Sequence, residues 1–400
     1  MATASIGTVR IPYKSALALP YDRGVEETEL SAEEPAQQPP GWTLWLRDWT
    51  VVVPFIGALA VALTWAVKDV GSVLAVVVGL LLAASVLAAV HHAEVVAHRV
   101  GEPFGSLVLA LAVTVIEVAL IVTLMVSGGP ETFSLARDTV FAAVMITCNG
   151  ILGISVLIAA LRDRVATFNA EGTATALATV ATLTTLSLVL PTVTTSAAGQ
   201  QFTGSQLAFA AIASLILYGV FVLVQTVRHR DYFVPAGDDQ LTDASDGPSN
   251  RRAFASAGLL LVALIAVVGL AKVESPAIER GVFAIGAPPS AVGVVIALLV
   301  LLPETLAAVR NARRGRVQAS MNLALGSAIA SIGLTIPVIA VASIWLDGPL
   351  ILGLEPTQLV LFAITMLVGS LTVLPGRATV QEGAVHLVLL GAFLFLAVIP

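Results

Sequence analysis

Long apolar stretches broken by short polar connections dominate this chain. Eleven of them, about 18–25 residues each, are long enough to cross roughly 30 Å of hydrocarbon. They lie near 50–67, 71–93, 103–126, 138–161, 173–196, 205–227, 253–273, 284–309, 320–346, 351–374 and 380–399. The pattern predicts an all-α integral membrane protein of about eleven transmembrane helices. The start of the chain breaks the pattern: Glu26, Glu27, Glu29, Glu33 and Glu34 lead into Pro35, Pro39 and Pro40 with little to bury. Residues 1–48 are therefore expected to form a disordered cytoplasmic tail. The tail lacks the apolar core of a secretory signal between Ile6 and Leu19, and Ala2 does not fit N-myristoylation. The first span is expected to act as the membrane signal.

Composition supports lipid as the solvent. The chain is 57% hydrophobic and only 12% charged, too little charge to cover a soluble domain of 400 residues. Net charge is −6, with no basic footprint for nucleic acid. The single cysteine, Cys148, excludes an internal disulfide.

Lys and Arg fix the expected orientation. With the N-terminus cytoplasmic, the inner loops hold Arg47, Arg99, Arg162, Arg164, Arg228, Arg230, Arg251, Arg252, Arg310, Arg313, Arg314, Arg316 and Arg377. The outer loops hold only Lys68, Arg137, Lys272 and Arg280. The C-terminus then lies outside, and the membrane is expected to be the inner cell membrane. The longest connection, 228–252, is cytoplasmic and acidic (Asp231, Asp238, Asp239, Asp243, Asp246), and reads as a solvated linker. It divides the chain into a first transmembrane half, 49–227, and a second, 253–400.

Setting the first span aside leaves five spans in each half. A five-span unit followed by its copy places the second copy upside down, the inverted repeat of many secondary transporters, with the ion site near mid-membrane. Each half carries one acid within an apolar run: Glu117 in Thr114-Val-Ile-Glu117-Val-Ala-Leu-Ile, and Glu304 in Leu302-Pro303-Glu304-Thr-Leu-Ala-Ala-Val. Each is followed by a basic connection and a span rich in small and polar residues. In one, Arg137 precedes Thr147-Cys148-Asn149-Gly150; in the other, Arg316 precedes Asn322, Gly326-Ser327 and Ser331.

An ionised carboxylate in hydrocarbon costs at least ~2.5–3.5 kcal/mol, so such acids face a bundle interior or a hydrated cavity. Glu117 and Glu304 are the candidate ligands for a transported cation, with Thr114, Asn149, Ser327 and Ser331 as supporting oxygen or amide groups. Pro303 lacks an N–H and should break its helix beside the acid. Hard cations want oxygen ligands. Desolvation disfavours an ionised carboxylate and a bound cation favours it, so proton and metal compete for the same oxygens. That competition is the chemistry of exchange, with no cofactor and no enzymatic step.

These residues resemble the calcium/cation antiporter superfamily, most closely its bacterial calcium/proton exchanger branch of the ChaA type. Three blocks carry the resemblance: Ala93-Glu94-Val-Val-Ala-His98-Arg-Val-Gly101-Glu-Pro-Phe-Gly105 running on to Glu117; Pro303-Glu304-Thr through Met321-Asn322 and Gly326-Ser327; and Pro375-Gly376-Arg377 through Glu382-Gly383-Ala-Val-His386. The resemblance implies an eleven-helix inverted-repeat fold that exports Ca²⁺ against inward proton flow. Some members of that branch exchange Na⁺ or K⁺. It places the ion-binding glutamates on Glu117 and Glu304, and Glu94 on a proton pathway. The better-known calcium/proton exchangers carry Gly-Asn ahead of each repeat glutamate; here Val113-Thr114 and Val300-Leu301 stand there.

Other patterns point elsewhere. His91-His92-Ala-Glu94-Val-Val-Ala-His98 lacks the His-Glu-x-x-His spacing of an intramembrane zinc protease, and reads as histidines at a cytoplasmic helix end. Glu102, before Pro103, reads as a helix start, and Glu382 with His386 as a structural hydrogen bond. A cation channel or a passive membrane protein does not explain one buried acid per inverted half. The expected partners are small inorganic cations, protons and the lipid bilayer; the sequence does not fix the oligomeric state.

Overall fold

The computed structural model describes residues 48–65, 71–101, 104–233, 248–346 and 348–400, without the side chains of 104–107 and 127. The tail expected over 1–48 (Asp48 apart), most of the acidic connection 228–252, the Lys68-Asp69 turn and Glu102-Pro103 lie outside these residues.

The apolar stretches fold as helices: α1 Trp49–Thr64, α2 Ser72–Val100, α3 Phe104–Ser127, α4 Pro130–Asp163, α5 Ala170–Val193 and α6 Gly204–Arg228. The second half contributes α7 Asn250–Ala284, α8 Ala291–Val300, α9 Leu302–Arg313, α10 Val317–Ala342, α11 Pro356–Val373 and α12 Val380–Val398. Among the described residues nine of these helices are long and apolar enough to cross a membrane. The α8–α9 pair, bent by 52°, forms a further span, and α1 is a shorter apolar helix of 16 residues. Counting both is consistent with the eleven expected spans.

The boundaries expected for the seventh span, 253–273, fall short. The helix continues through Ser275-Pro276 to Ala284 and leaves only residues 285–290 as a connection to α8. The polar residues after 273 end the apolar run but not the helix, because hydrogen bonding within a helix does not need an apolar side chain.

The packing is reciprocal between the halves. Helix α3 lies on α10, while its counterpart α8 lies on α4; α4 lies on α12, while α10 lies on α6. Each contact is repeated with partners exchanged, which is the inverted repeat in three dimensions. Helices α2 and α7 pack on each other and on α1. Two apolar cores result: one around α4, α5, α6, α10 and α12, the other joining α2 and α7 to α3 and α8. A short antiparallel pair, β1 (Ala166–Thr167) with β2 (Arg377–Ala378), ties the α4–α5 connection to the α11–α12 connection.

Close helix approach rests on small residues, as membrane packing favours. At the α4–α12 crossing, a Cβ on Gly153 would stand 2.8 Å from His386 Cβ, and one on Gly383 would stand 2.8 Å from the Leu157 backbone nitrogen.

Candidate ion-binding site

Glu117 sits mid-way along the unbroken α3 and is 3% exposed. Its neighbours come from α10, one turn apart on one face: Ser331 Oγ donates to Oε1 at 2.6 Å, and Thr335 Oγ1 donates to Oε2 at 3.2 Å. Two hydroxyls therefore orient the carboxylate across the repeat boundary.

Glu304 is held differently. Leu301 leaves helical geometry (φ −84°, ψ 0°), Pro303 supplies no N–H, and α9 restarts with Glu304 in its first turn. Unpaired N–H groups and the helix dipole there favour negative charge. The side chain is 8% exposed, yet its Oε2 has no hydrogen-bond partner. Burying an ionised carboxylate without a partner is costly, so this oxygen favours a proton or a cation beside it.

Both glutamates line one cavity of about 380 Å³. Glu94, Thr114, Ser327 and Ser331 line it too, so the structure brings together six of the seven residues singled out in the sequence. The cavity continues past Glu94 to Gln225 of α6, Asn311 of α9 and Asn322 of α10. These lie at the bundle end that also carries Arg99, Arg228, Arg313 and Arg316. Glu94 is half-buried in its wall.

Asn149, the seventh, lies elsewhere. It lies in a π-helical turn of α4, Ile146–Ile151, and does not line the cavity. Its Nδ2 donates to Thr365 Oγ1 at 2.9 Å, and its Oδ1 pairs with His386 Nδ1 at 3.1 Å. His386 Nε2 is 3.1 Å from Thr372 Oγ1. The amide thus satisfies a buried polar chain between α4, α11 and α12. The bond expected between Glu382 and His386 is likewise replaced, since Glu382 caps α12 through the Thr379 hydroxyl and backbone N–H.

The histidine cluster does not converge. His92 is buried and donates from Nε2 to the Thr50 carbonyl at 2.9 Å, while His98 is exposed. Sequence reasoning missed Thr335, although its spacing of four from Ser331 put it on the same face. It also placed Arg137 in an outer loop. In the structure Arg137 is buried at the start of α4, paired with Asp138 at 2.8 Å, with Glu355 at 3.4 Å, and donating to the Gly353 carbonyl at 3.2 Å. The adjacent acid, Asp138, was the available sign that this arginine is compensated and not solvated.

Comparison with known proteins places this geometry. Residues 70–227 and 255–399 match the family described as sodium/calcium exchanger protein. The protein y4hA of Sinorhizobium fredii, described as a candidate ionic transporter, is 46% identical over 358 residues, covering 88% of this chain and 96% of that one. The Escherichia coli sodium-potassium/proton antiporter ChaA is 34% identical over 315 residues, covering 78% and 84%. The solved structure of native YfkE superposes with a TM-score of 0.68 at 16% identity, covering 88% of this chain and all (100%) of that one. With a family match over both halves and relatives aligned along most of their length, this multi-pass membrane protein belongs to the sodium/calcium exchanger family of cation antiporters.

Proposed function

We propose that this chain is a proton-coupled cation antiporter of the inner membrane in which Glu117 and Glu304 hold either protons or a cation, and that Na⁺ or K⁺ is its cation. The carrying observation is that the two carboxylates, one from each inverted repeat, line a single cavity that runs toward one end of the bundle. A buried ionised carboxylate must be compensated. The site can therefore cross between faces carrying protons or a cation, while the bare dianion pays the full desolvation penalty. This asymmetry is what couples the two flows.

With the N-terminus cytoplasmic and the C-terminus external, the cavity opens to the cytoplasm. Cation enters past Glu94, displaces protons from the pair, and those protons leave by the same carboxylate-lined path. The bundle then turns over, the cation leaves outside, and external protons return. The half-chain units 49–227 and 253–400 supply one glutamate each, joined by the cytoplasmic connection.

Beyond the carboxylates, the donors near the pair are the neutral hydroxyls of Thr114, Ser327, Ser331 and Thr335, while the amides of Gln225, Asn311 and Asn322 line the part of the cavity toward the bundle end. These oxygens are numerous enough for Na⁺, K⁺ or Ca²⁺, so the choice of Na⁺ or K⁺ follows a relative. The sodium-potassium/proton antiporter of Escherichia coli agrees with this reading. Ca²⁺/H⁺ exchange is the second reading, favoured by one observation: two carboxylates facing one cavity balance a divalent charge.

Cation-dependent proton flux in inverted vesicles, compared for Na⁺, K⁺ and Ca²⁺, tests both. Flux driven by Na⁺ or K⁺ and abolished in E117Q and E304Q supports the first reading. Flux driven by Ca²⁺ alone supports the second. Normal exchange in both variants would remove the site.

A further inference from the structure

The open cavity has a counterpart at the opposite end of the bundle. Its walls come from α2, α3, α8–α9 and α10, with α6 closing one side; α6 is the one major wall whose repeat partner, α12, does not line the counterpart. Exchanging each of the others for its repeat partner gives α7, α3, α8 and the start of α4. A pocket of about 20 Å³ lies there, lined by Glu279 and Val282 of α7, Val292 of α8, Leu124 of α3 and Leu135 of α4. The inverted repeat thus holds one wide and one nearly closed version of the same space, about 380 Å³ against about 20 Å³.

Glu94 of α2 stands in the wall of the wide version. Its helix reads Glu94-Val-Val-Ala97-His-Arg-Val-Gly101, and α7 reads Glu274-Ser-Pro-Ala277-Ile-Glu-Arg-Gly281. Glu, Ala and Gly recur at the same spacing on the two helices that the repeat interchanges. Glu274 is 8% exposed and its Oε2 has no hydrogen-bond partner. It faces α2 at Gly79, where an added Cβ would stand 3.6 Å from Glu274 Oε1. Glu274 does not itself line the small pocket; the adjacent Ser275 donates to Glu279 Oε1 at 3.2 Å, and Glu279 lines it together with Glu131. The paired-glutamate site makes no use of Glu274. An acid buried in a membrane helix is nevertheless expensive and marks an ion or proton path by default.

We infer that Glu274 is the repeat counterpart of Glu94: the carboxylate past which cation and protons reach the paired glutamates when the cavity opens at the α7 end. The inference rests on the reading of Glu117 and Glu304 as the transport site. In the present conformation Glu94 borders the wide cavity while α2 covers Glu274. A shift of α2 and α7 against the larger core exchanges these roles, opening the small pocket around Glu279 and uncovering Glu274.

Side-specific kinetics of the full chain test this. The KM for Na⁺ (or for whichever of Na⁺, K⁺ and Ca²⁺ the wild type exchanges) is measured at each face, in inverted and in right-side-out vesicles, for wild type, E94Q and E274Q. E274Q is expected to raise KM severalfold at the face where α7 ends and leave the other face unchanged; E94Q is expected to do the reverse. Glu274→Asp, which keeps the charge, is expected to restore the wild-type KM. An E274Q effect equal at both faces, or absent from both, overturns the inference. If E274Q does not fold, Glu274→Asp and Glu274→Cys carry the test. The cysteine is expected to react with an impermeant maleimide from the α7-end face only, and labelling from the α2-end face would be equally fatal. A wild type that exchanges no cation for protons instead removes the reading of the paired site, a distinct result.

Discussion

At the residue scale, the site depends on how each carboxylate is held. Ser331 and Thr335 both donate to Glu117, and a hydrogen bond to a charged group contributes about 1.5–3 kcal/mol. S331A is therefore expected to raise the cation KM by roughly tenfold, with T335A, at the longer distance, doing less; initial-rate cation uptake measures both. Asn149 behaves differently. N149A should leave the cation KM unchanged, because the amide does not line the cavity. It should lower the melting temperature in detergent, since His386 and Thr365 lose buried partners at a cost of about 1–3 kcal/mol. A raised KM with unaltered melting would return Asn149 to the ion site. Glu117, Glu304, Thr114, Ser327 and Ser331 were legible because acids and hydroxyls inside apolar runs are conspicuous. Asn149 looked the same on paper and differs only in the direction its helix turns it.

At the scale of elements, helix ends and crossings carry the stability. Asp48 caps α1, accepting from the Thr50 backbone N–H at 3.1 Å and the Thr50 hydroxyl at 2.7 Å. Partial burial pushes its carboxyl up, but the two Thr50 bonds with nearby His91 and His92 outweigh this and hold it below the usual range. A depressed carboxylate stabilises above its unfolded pKa, and that contribution disappears as pH falls through the folded value. D48A is expected to cost about 0.5–2 kcal/mol at neutral pH, and the difference from wild type should shrink in acid. Thermal melts of the detergent-purified protein at several pH values check this; a difference that grows in acid would refute it. At the α4–α12 crossing, G383V must push the Leu157 backbone away. It is expected to reduce folded yield sharply, whereas valine at Gly391, where nothing lies within 4 Å, should be tolerated. The break at Leu301-Pro303 was readable from proline chemistry. The π-helical turn in α4 was not: Thr147-Cys148-Asn149-Gly150 is weak helix sequence, but that weakness does not specify a π turn, in which Asn149 bonds to Thr365 of α11 and His386 of α12.

At the scale of the whole molecule, two packed cores with a cavity between α2 and the larger core suit a protein that opens alternately to two faces. Orientation is the prediction that belongs here. Cysteines introduced at Gln201 and near Pro400 should react with an impermeant maleimide in intact cells, and one at Arg251 only in inverted vesicles. The reverse pattern would overturn the assignment of the open cavity to the cytoplasm without disturbing the paired site. The backbone links on the two faces agree internally. Gly353 bonds to Gln200 at one end, at 2.9 Å, and β1 pairs with β2 at the other, as an alternating crossing order requires.

Hydrophobic run lengths, with Glu117 and Glu304 inside them, determined the membrane-spanning class and the repeat, because lipid penalises unpaired polar groups so heavily that few arrangements of such a sequence survive. Tertiary structure alone decided which polar groups meet. Whether a hydroxyl or amide faces the cavity or a neighbouring helix depends on rotation and crossing geometry, which run length does not encode. That is why Thr335 joined Glu117, Asn149 turned to His386, and one end of the bundle opened while its mirror stayed shut.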